Sequence, residues 1–527
     1  MSGRFFLIGL DGATFDVLDP LMEQGVMPAL RSFLASGVGA NLRTVVPALT
    51  PPAWASLVTG RSPGNHGVFD FFAKDSPESH YFHISTAHDV KAETLWSILD
   101  RAGLRSTVLN FPLTFPAPAI QGNVVPGWMP WRQLRLGCRP EGLYDRIKAI
   151  PDFDPKALSL DLSPEAKAVQ GCRPEELAEW VGFYTRRERH WLRIVRMLER
   201  EDPSSLTAVL FDGVDKIQHL CWRFIDPGAR SSARPAEEER IRELCTEYFR
   251  ELDSILGELF RLAAPEDTVL LASDHGFGAQ TGTFFVNAWL AKKGYLAWAK
   301  GSGPEATGSE DLGMEQLARH VYLLDWSRTR AYVPTPSGNG LYIVRGDGES
   351  RAEYERFRAR LVEELSEVRD ERGRPIVSRV RTKDEIFPGA CLSLAPDIVL
   401  ELEDGGLVSI LDSDTVYRTR KEPLGAHRPE GVFLARGPGL RKGLRFGEIS
   451  ILDVAPTVLH SLGVPLPRDL EGAVPWEAFE AGGRSKGASA EKARPREEVA
   501  AGAARPTLSK EDERRLAAHL RALGYIE

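Results

Sequence analysis

Three apolar runs in this chain each empty into an acidic turn, and that repetition restricts the possible folds more than any other feature. Arg4 to Leu10 (RFFLIGL) leads into Asp11-Gly12. Leu206 to Phe211 (LTAVLF) leads into Asp212-Gly213-Val214-Asp215, and Thr268 to Ser273 (TVLLAS) leads into Asp274-His275. Short, nearly unbroken apolar runs read as strands buried on both faces, the pattern of a parallel sheet. Helical patterns lie between them, at Met27–Gly37, Glu93–Ala102, Glu179–Leu198 and Ala236–Leu262. The alternation predicts an α/β fold: a central, mostly parallel sheet with helices on both faces. Ligands of such sheets bind beyond the carboxyl ends of the strands. Asp11, either Asp212 or Asp215, and Asp274 would gather there, where their mutual repulsion calls for a cation.

Histidines accompany two of these ends. His275 follows Asp274 directly, and His219 lies four residues after Asp215, one helical turn, so both can face one point. His427 sits in a Gly-Ala-His loop before a further strand-like run. Carboxylate oxygen with imidazole nitrogen is a ligand set for zinc and similar divalent ions. A hydroxyl also stands out, in TVVPALTPPAWASLVTGRSPGNHGVFDFF (Thr44 to Phe72). Thr50 precedes Pro51-Pro52 and a short apolar helix that stops at Gly60. A helix start is a favourable position for an anion or a nucleophile, and equally for a plain capping threonine.

Composition removes several alternatives. A net charge of −8 gives no drive toward nucleic acid, and 43% hydrophobic with 27% charged residues is the balance of a soluble globular chain. The five cysteines (Cys138, Cys172, Cys221, Cys245, Cys391) form no CxxC pair, so neither a disulfide framework nor a cysteine zinc site is indicated. No apolar run reaches membrane-spanning length. MSGR runs straight into FFLIGL without the pattern of a signal peptide, and a cytoplasmic location is expected.

The segments LIGLDG, TPPAWASLVTGRSPGNHGV, DKIQH, SDHGF, GAH and ILDVAPTVLHSLGVPLP follow one another over residues 4 to about 470. Together they resemble the type I phosphodiesterase/nucleotide pyrophosphatase family of the alkaline phosphatase superfamily. The resemblance implies a metal-dependent hydrolase of phosphoester bonds, with two divalent ions, zinc or alternatively manganese. It implies that Asp215, His219 and His427 hold one ion, that Asp11, Asp274 and His275 hold the other, and that Thr50 is nucleophile and further ligand beside the second. One departure is visible. Many nucleotide-cleaving members carry an asparagine, donating to a phosphoryl oxygen, where this chain has Phe71. Asn65 and Asn110 are candidates to replace that donor.

The expected organisation is a catalytic domain over 1–480, with an excursion from the sheet at about 112–182 that covers the metal end. A flexible linker (482–507) and a last amphipathic helix (508–527) follow. Trp54, and Trp128 or Trp131 from the excursion, are candidate substrate contacts. The small phosphorylated substrate is expected to be a diester, because the residues around Thr50 supply no cation and Arg61 lies past the helix end; Arg132 or Lys74 folding into the site would reverse this. The alternatives are a phosphomonoesterase or phosphotransferase of the same superfamily, and a non-catalytic relative that binds a phosphorylated ligand or partner.

Overall fold

The three acidic-ended runs form the middle of an eight-stranded sheet in the computed structural model. The structure describes residues 3–480 apart from 81, 130–132, 159–172, 227, 229–234, 300–322, 336–337 and 407. Trp131, Arg132, the expected linker and the expected last helix lie outside the described residues.

The strands used below are β1 (Phe5–Leu10), β2 (Val38–Arg43), β3 (Ser106–Leu109), β4 (Gly122–Val125), β5 (Leu206–Phe211) and β6 (Thr268–Ala272). After them come β7 (Gly276–Phe285), β8 (Tyr417–Arg428), β9 (Glu430–Arg436) and β10 (Leu444–Ser450). The order across the main sheet is β10-β2-β9-β6-β1-β5-β3-β4. All neighbours run parallel except β9, which is antiparallel to both β2 and β6. Register sets the site. Leu10 pairs with Phe211 and Gly9 with Ala272, so β1, β5 and β6 stop level and their acidic turns emerge together.

Alternation along β1 divides the core between the two faces. Phe6, Ile8 and Leu10 point into a cluster with Trp191, Val195 and Leu256, from the helices α2 and α4 named below. Phe5 and Leu7 point the other way, into a cluster with Trp54, Leu57, Val458 and Leu459. Each fully buried side chain of this size contributes about 1.5–3 kcal/mol. The helices that supply or brace the site are α1 (Thr50–Thr59), α2 (Pro174–Glu201), α3 (Gly213–Ile225), α4 (Ala236–Leu262) and α5 (Val454–Ser461). Pro456 falls in the first turn of α5, where proline is tolerated, so it does not interrupt that helix.

Two parts differ from the sequence reading. Within the expected excursion at 112–182, Gly122–Val125 is not outside the sheet; it is the edge strand β4, parallel to β3. A second lobe occupies the chain between β7 and β8. Its four-stranded sheet (Ala331–Tyr332, Gly340–Ile343, Ile398–Leu402, Val377–Thr382) is covered by the helix Arg351–Ser366 through Tyr354, Phe357, Leu361 and Leu365. The lobe returns as β8, which pairs antiparallel with β7 and carries His427 beside Phe277.

Candidate active site

The first group of ligands comes straight off the sheet. Asp11 follows β1, and Asp274 and His275 follow β6; their exposures are 1%, 0% and 0%. His275 Nε2 lies 3.2 Å from Asp274 Oδ2 and 3.6 Å from Asp11 Oδ1. The turn after Asp11 requires Gly12. Its φ is +69°, a Cβ there would meet the Phe277 ring at 3.0 Å, and its N–H donates to Asp274 Oδ1 at 3.1 Å.

The second group comes from a helix and from strand β8. Asp215 and His219 sit one turn apart on α3, and His427 stands near the end of β8. Asp215 Oδ1 lies 3.2 Å from His427 Nε2 and 3.4 Å from His219 Nε2. Strand β8 can reach α3 because Gly425 has no side chain; a Cβ there would lie 2.2 Å from the Gln218 carbonyl. Asp215 Oδ1 is also 3.9 Å from His275 Nε2, so the groups adjoin. Between the two candidate aspartates, the structure places Asp215 in the cluster. Asp212 is turned away into a buried pair with Arg187, at 2.8 and 2.9 Å.

All three histidines are oriented alike. Their Nδ1 atoms lie against backbone carbonyls: His275 on Gly276 at 3.1 Å, His219 on Gly425 at 3.2 Å and His427 on Ala48 at 3.0 Å. Donation from Nδ1 assigns the tautomer and leaves each Nε2 lone pair facing the carboxylates, as in metal-ligating imidazoles. Burial first, and then neighbouring His427, pushes His275 well below the ordinary histidine range; burial also lowers His427. Burial, reinforced by Asp274 and Asp215, raises Asp11 well above the usual carboxylate range, and burial with Asp215 does the same to Asp274. Burial acts in the same sense on Asp215, but its interactions with His219 and Lys216 outweigh it and hold Asp215 well below that range.

Thr50 is the first residue of α1, and Leu49 takes the cap position without a side-chain capping bond. Its hydroxyl, 3% exposed, lies 3.2 Å from His275 Nε2. Pro51 and Pro52 follow at once, so this helix start lacks two of the backbone donors that usually hold an anion. His66 braces α1 from behind. It accepts from Val68 N–H at 3.1 Å and meets Ser56 Oγ at 2.9 Å, and burial pushes it down to about 3, so it is neutral.

The expected substrate contacts lie as follows. Trp54 is 1% exposed and presents no surface; its indole N–H donates to Asp11 Oδ2 at 3.2 Å instead. Asn110, in left-handed backbone (φ 64°), donates to the Leu210 carbonyl at 2.9 Å and accepts from Arg187 at 3.2 Å. Both ends of its amide are thus engaged inside the protein. Asn65 Oδ1 lies against Gly389, where a Cβ would meet it at 2.5 Å. Trp128 is half-buried and stacks on Phe71, centroids 5.3 Å apart. Arg61 turns away to Asp469 at 2.6 Å, and Lys74 lies over Tyr342 in the second lobe. Sequence reasoning passed over Lys216, whose Nζ lies 3.3 Å from Asp215 Oδ2 and 6.0 Å from the Trp128 ring centre. Its position directly after a candidate ligand was the available signal.

These residues fit divalent ions. Each group offers three ligand atoms within 4.8 Å of one another. One buried oxygen in each of Asp11, Asp215 and Asp274 accepts no hydrogen bond among the described residues, a costly arrangement that a bound cation relieves.

An eight-stranded, mostly parallel sheet with two carboxylate–imidazole groups at one end is the alkaline phosphatase-like architecture. The model of the type I phosphodiesterase/nucleotide pyrophosphatase family matches residues 5–429, and the chain belongs to that family. It is therefore a phosphoester hydrolase of the alkaline phosphatase superfamily. Among solved structures it resembles murine ectonucleotide pyrophosphatase/phosphodiesterase 5, with 16% identity, 90% of this chain and 100% of that one covered, and a TM-score of 0.52. The human counterpart gives 14%, 88%, 95% and 0.50. Phosphonoacetate hydrolase from Sinorhizobium meliloti gives 18%, 87%, 96% and 0.49. At these identities the likeness is one of fold. No curated protein matches the sequence. Among the described residues no helix is long and apolar enough to cross a membrane.

Proposed function

We propose that this protein hydrolyses phosphodiesters through a covalent intermediate on Thr50, with two divalent ions, zinc by the carboxylate–imidazole donor set, in the two ligand groups. The observation that carries the reading is the place of Thr50 Oγ1, 3.2 Å from the Nε2 of His275 where the two groups adjoin. Asp11, Asp274 and His275 would hold one ion, and Asp215, His219 and His427 the other. Ions bound there lower the pKa of the threonine hydroxyl and neutralise charge developing on the attacking and leaving oxygens.

The chain's own residues do the rest. The rigid Pro51-Pro52 start of α1 fixes the direction of the Thr50 side chain, and His66 with Ser56 keeps that helix in place. Thr50 Oγ bonds to phosphorus as the bond to the leaving alcohol breaks. Its proton passes to solvent, and the leaving oxygen takes one up. Water then cleaves the threonine ester and restores the hydroxyl. The Phe71–Trp128 pair offers an apolar wall for the second organic group of a diester. Arg187 is committed to Asp212 and Arg61 to Asp469, so neither is available to a second phosphoryl charge.

The test is kinetic. Bis(4-nitrophenyl) phosphate and 4-nitrophenyl phosphate share one leaving group, and the diester should show the higher kcat/KM. A clear preference for the monoester would move the assignment to a phosphatase. Metal analysis of the same preparation should find two ions per chain.

A further inference from the structure

We propose that Lys216 is the side chain that holds a non-bridging phosphoryl oxygen of the substrate, against a wall made by Trp128 and Phe71. The inference rests on the Thr50 reading above. A phosphoryl group attacked by Thr50 needs donors for its two remaining oxygens beyond the ions themselves. The usual source at a helix start is reduced, because Pro51 and Pro52 carry no N–H. Asn110, near this end of the sheet, is engaged elsewhere, with the Leu210 carbonyl and Arg187.

Lys216 is in place to fill the gap. It is 8% exposed, rare for lysine, and its ammonium lies 3.3 Å from Asp215 Oδ2. The other oxygen of that carboxylate faces His427, His219 and His275. The ammonium therefore stands one carboxylate away from the junction that a phosphoryl group at Thr50 would occupy. Trp180 fixes the base of the residue by donating its indole N–H to the Lys216 carbonyl at 3.0 Å. Trp128 covers the tip, 6.0 Å away, and Phe71 backs Trp128 with rings tilted by only 10°. Trp128 holds a left-handed backbone conformation, φ 58°, that a bulky residue adopts at a cost and that tends to mark functional sites.

Charge agrees with this role. Asp11, Asp215, Asp274 and a deprotonated Thr50 carry four negative charges, matched by two divalent ions. Lys216 then leaves one positive charge, which the single charge of a diester neutralises.

The experiment uses the full-length chain carrying Thr50→Ala, loaded with zinc, with inorganic phosphate as the probe. Calorimetry gives the Kd and elemental analysis the ions per chain. Lys216→Met should raise the Kd at least about tenfold, as expected for loss of a charge-assisted hydrogen bond, with both ions retained. Lys216→Arg should stay within about threefold of the parent, which also shows that the position tolerates substitution. Adding Phe71→Asn to Lys216→Met should recover part of the loss by placing an amide donor in the wall. The inference is overturned if Lys216→Met binds phosphate as the parent does. It is also overturned if its weaker binding follows loss of an ion, because Lys216 would then only position Asp215. A parent that binds no phosphate, together with a wild-type chain that cleaves no ester, overturns both this inference and the reading beneath it.

Discussion

Asp11, Asp274 and His275 grow directly from strand ends, whereas Asp215 and His219 come from a helix and His427 from strand β8, which pairs with β7 only after a second lobe. The first group is sealed, with no member above 1% exposed. The second opens to solvent through the His219 side chain, 24% exposed. The electrostatics divide the same way. In the inner group burial keeps Asp11 and Asp274 reluctant to ionise, while Asp215 is held ionised by His219 and Lys216 against the effect of burial. The contrast separates two ways of assembling ligands for cations. One is a rigid, dry set whose carboxylates oppose folding until charge arrives. The other is a wetter set whose carboxylate already has a cationic neighbour, Lys216.

The sharpest challenge to the pairing of these groups is the residue at their junction. Thr50→Ala should lower kcat by about 10³-fold or more and leave both ions bound, whereas Thr50→Ser should keep substantial activity because it presents the same oxygen. Wild-type turnover by Thr50→Ala would mean that water attacks directly and that the junction has no covalent role.

Next in size is a comparison of ligand deletions. His219→Ala should lower activity about 10²-fold and reduce the ion count from two toward one, with the inner ion kept. Asp274→Ala removes a ligand whose other oxygen also anchors Gly12, and it should disturb both ions. Equal loss from both variants would erase the distinction between a rigid and an adaptable group.

A smaller effect is expected behind the inner group. Trp54→Phe keeps the core filled but deletes the N–H that orients Asp11, and it should weaken the ion of the inner group about tenfold. Chelator titration reads this directly; an unchanged affinity would reduce Trp54 to a packing residue.

The smallest effect has opposite signs in the two groups. Asp11 ionises at higher pH in the fold than in the unfolded chain. Its stabilising contribution is therefore complete below about pH 4 and is lost as pH rises through its raised folded value. Asp215 is shifted the other way, so its contribution is present above about pH 4 and lost on acidification. In chelator near pH 7, Asp11→Asn should raise Tm by a few degrees and Asp215→Asn should lower it. Shifts of the same sign would show that the two carboxylates share one environment.

Much of the inner group was legible because it depends on local facts. An apolar run ending in aspartate places that aspartate at a sheet end once the strands stop level, as Leu10 and Phe211 do. The Asp215–His219 spacing was equally readable as one helical turn. What could not be read was long-range. Nothing near Asp212 tells that Arg187 claims it, so the choice between Asp212 and Asp215 stayed open until the resemblance was considered. Trp54 read as an apolar surface because its partner, Asp11, is distant in sequence. The polar alternation of VGANLR and LRFGEIS hid β2 and β10 among loops. The excursion was misjudged at Gly122–Val125 because four residues are too few to show a strand period before pairing supplies it.

The order of the ligands along the chain has a consequence for synthesis. Thr50 and the complete inner group have been synthesised once His275 is made, but His427 follows only after the whole second lobe. At roughly 5–20 residues per second, that interval is on the order of ten to thirty seconds. Throughout it the proposed nucleophile Thr50 exists while the second group lacks His427. On the proposed mechanism, turnover would wait for β8 to pair with β7, late in translation. A chain cut short within the second lobe would keep Thr50 and yet remain inert.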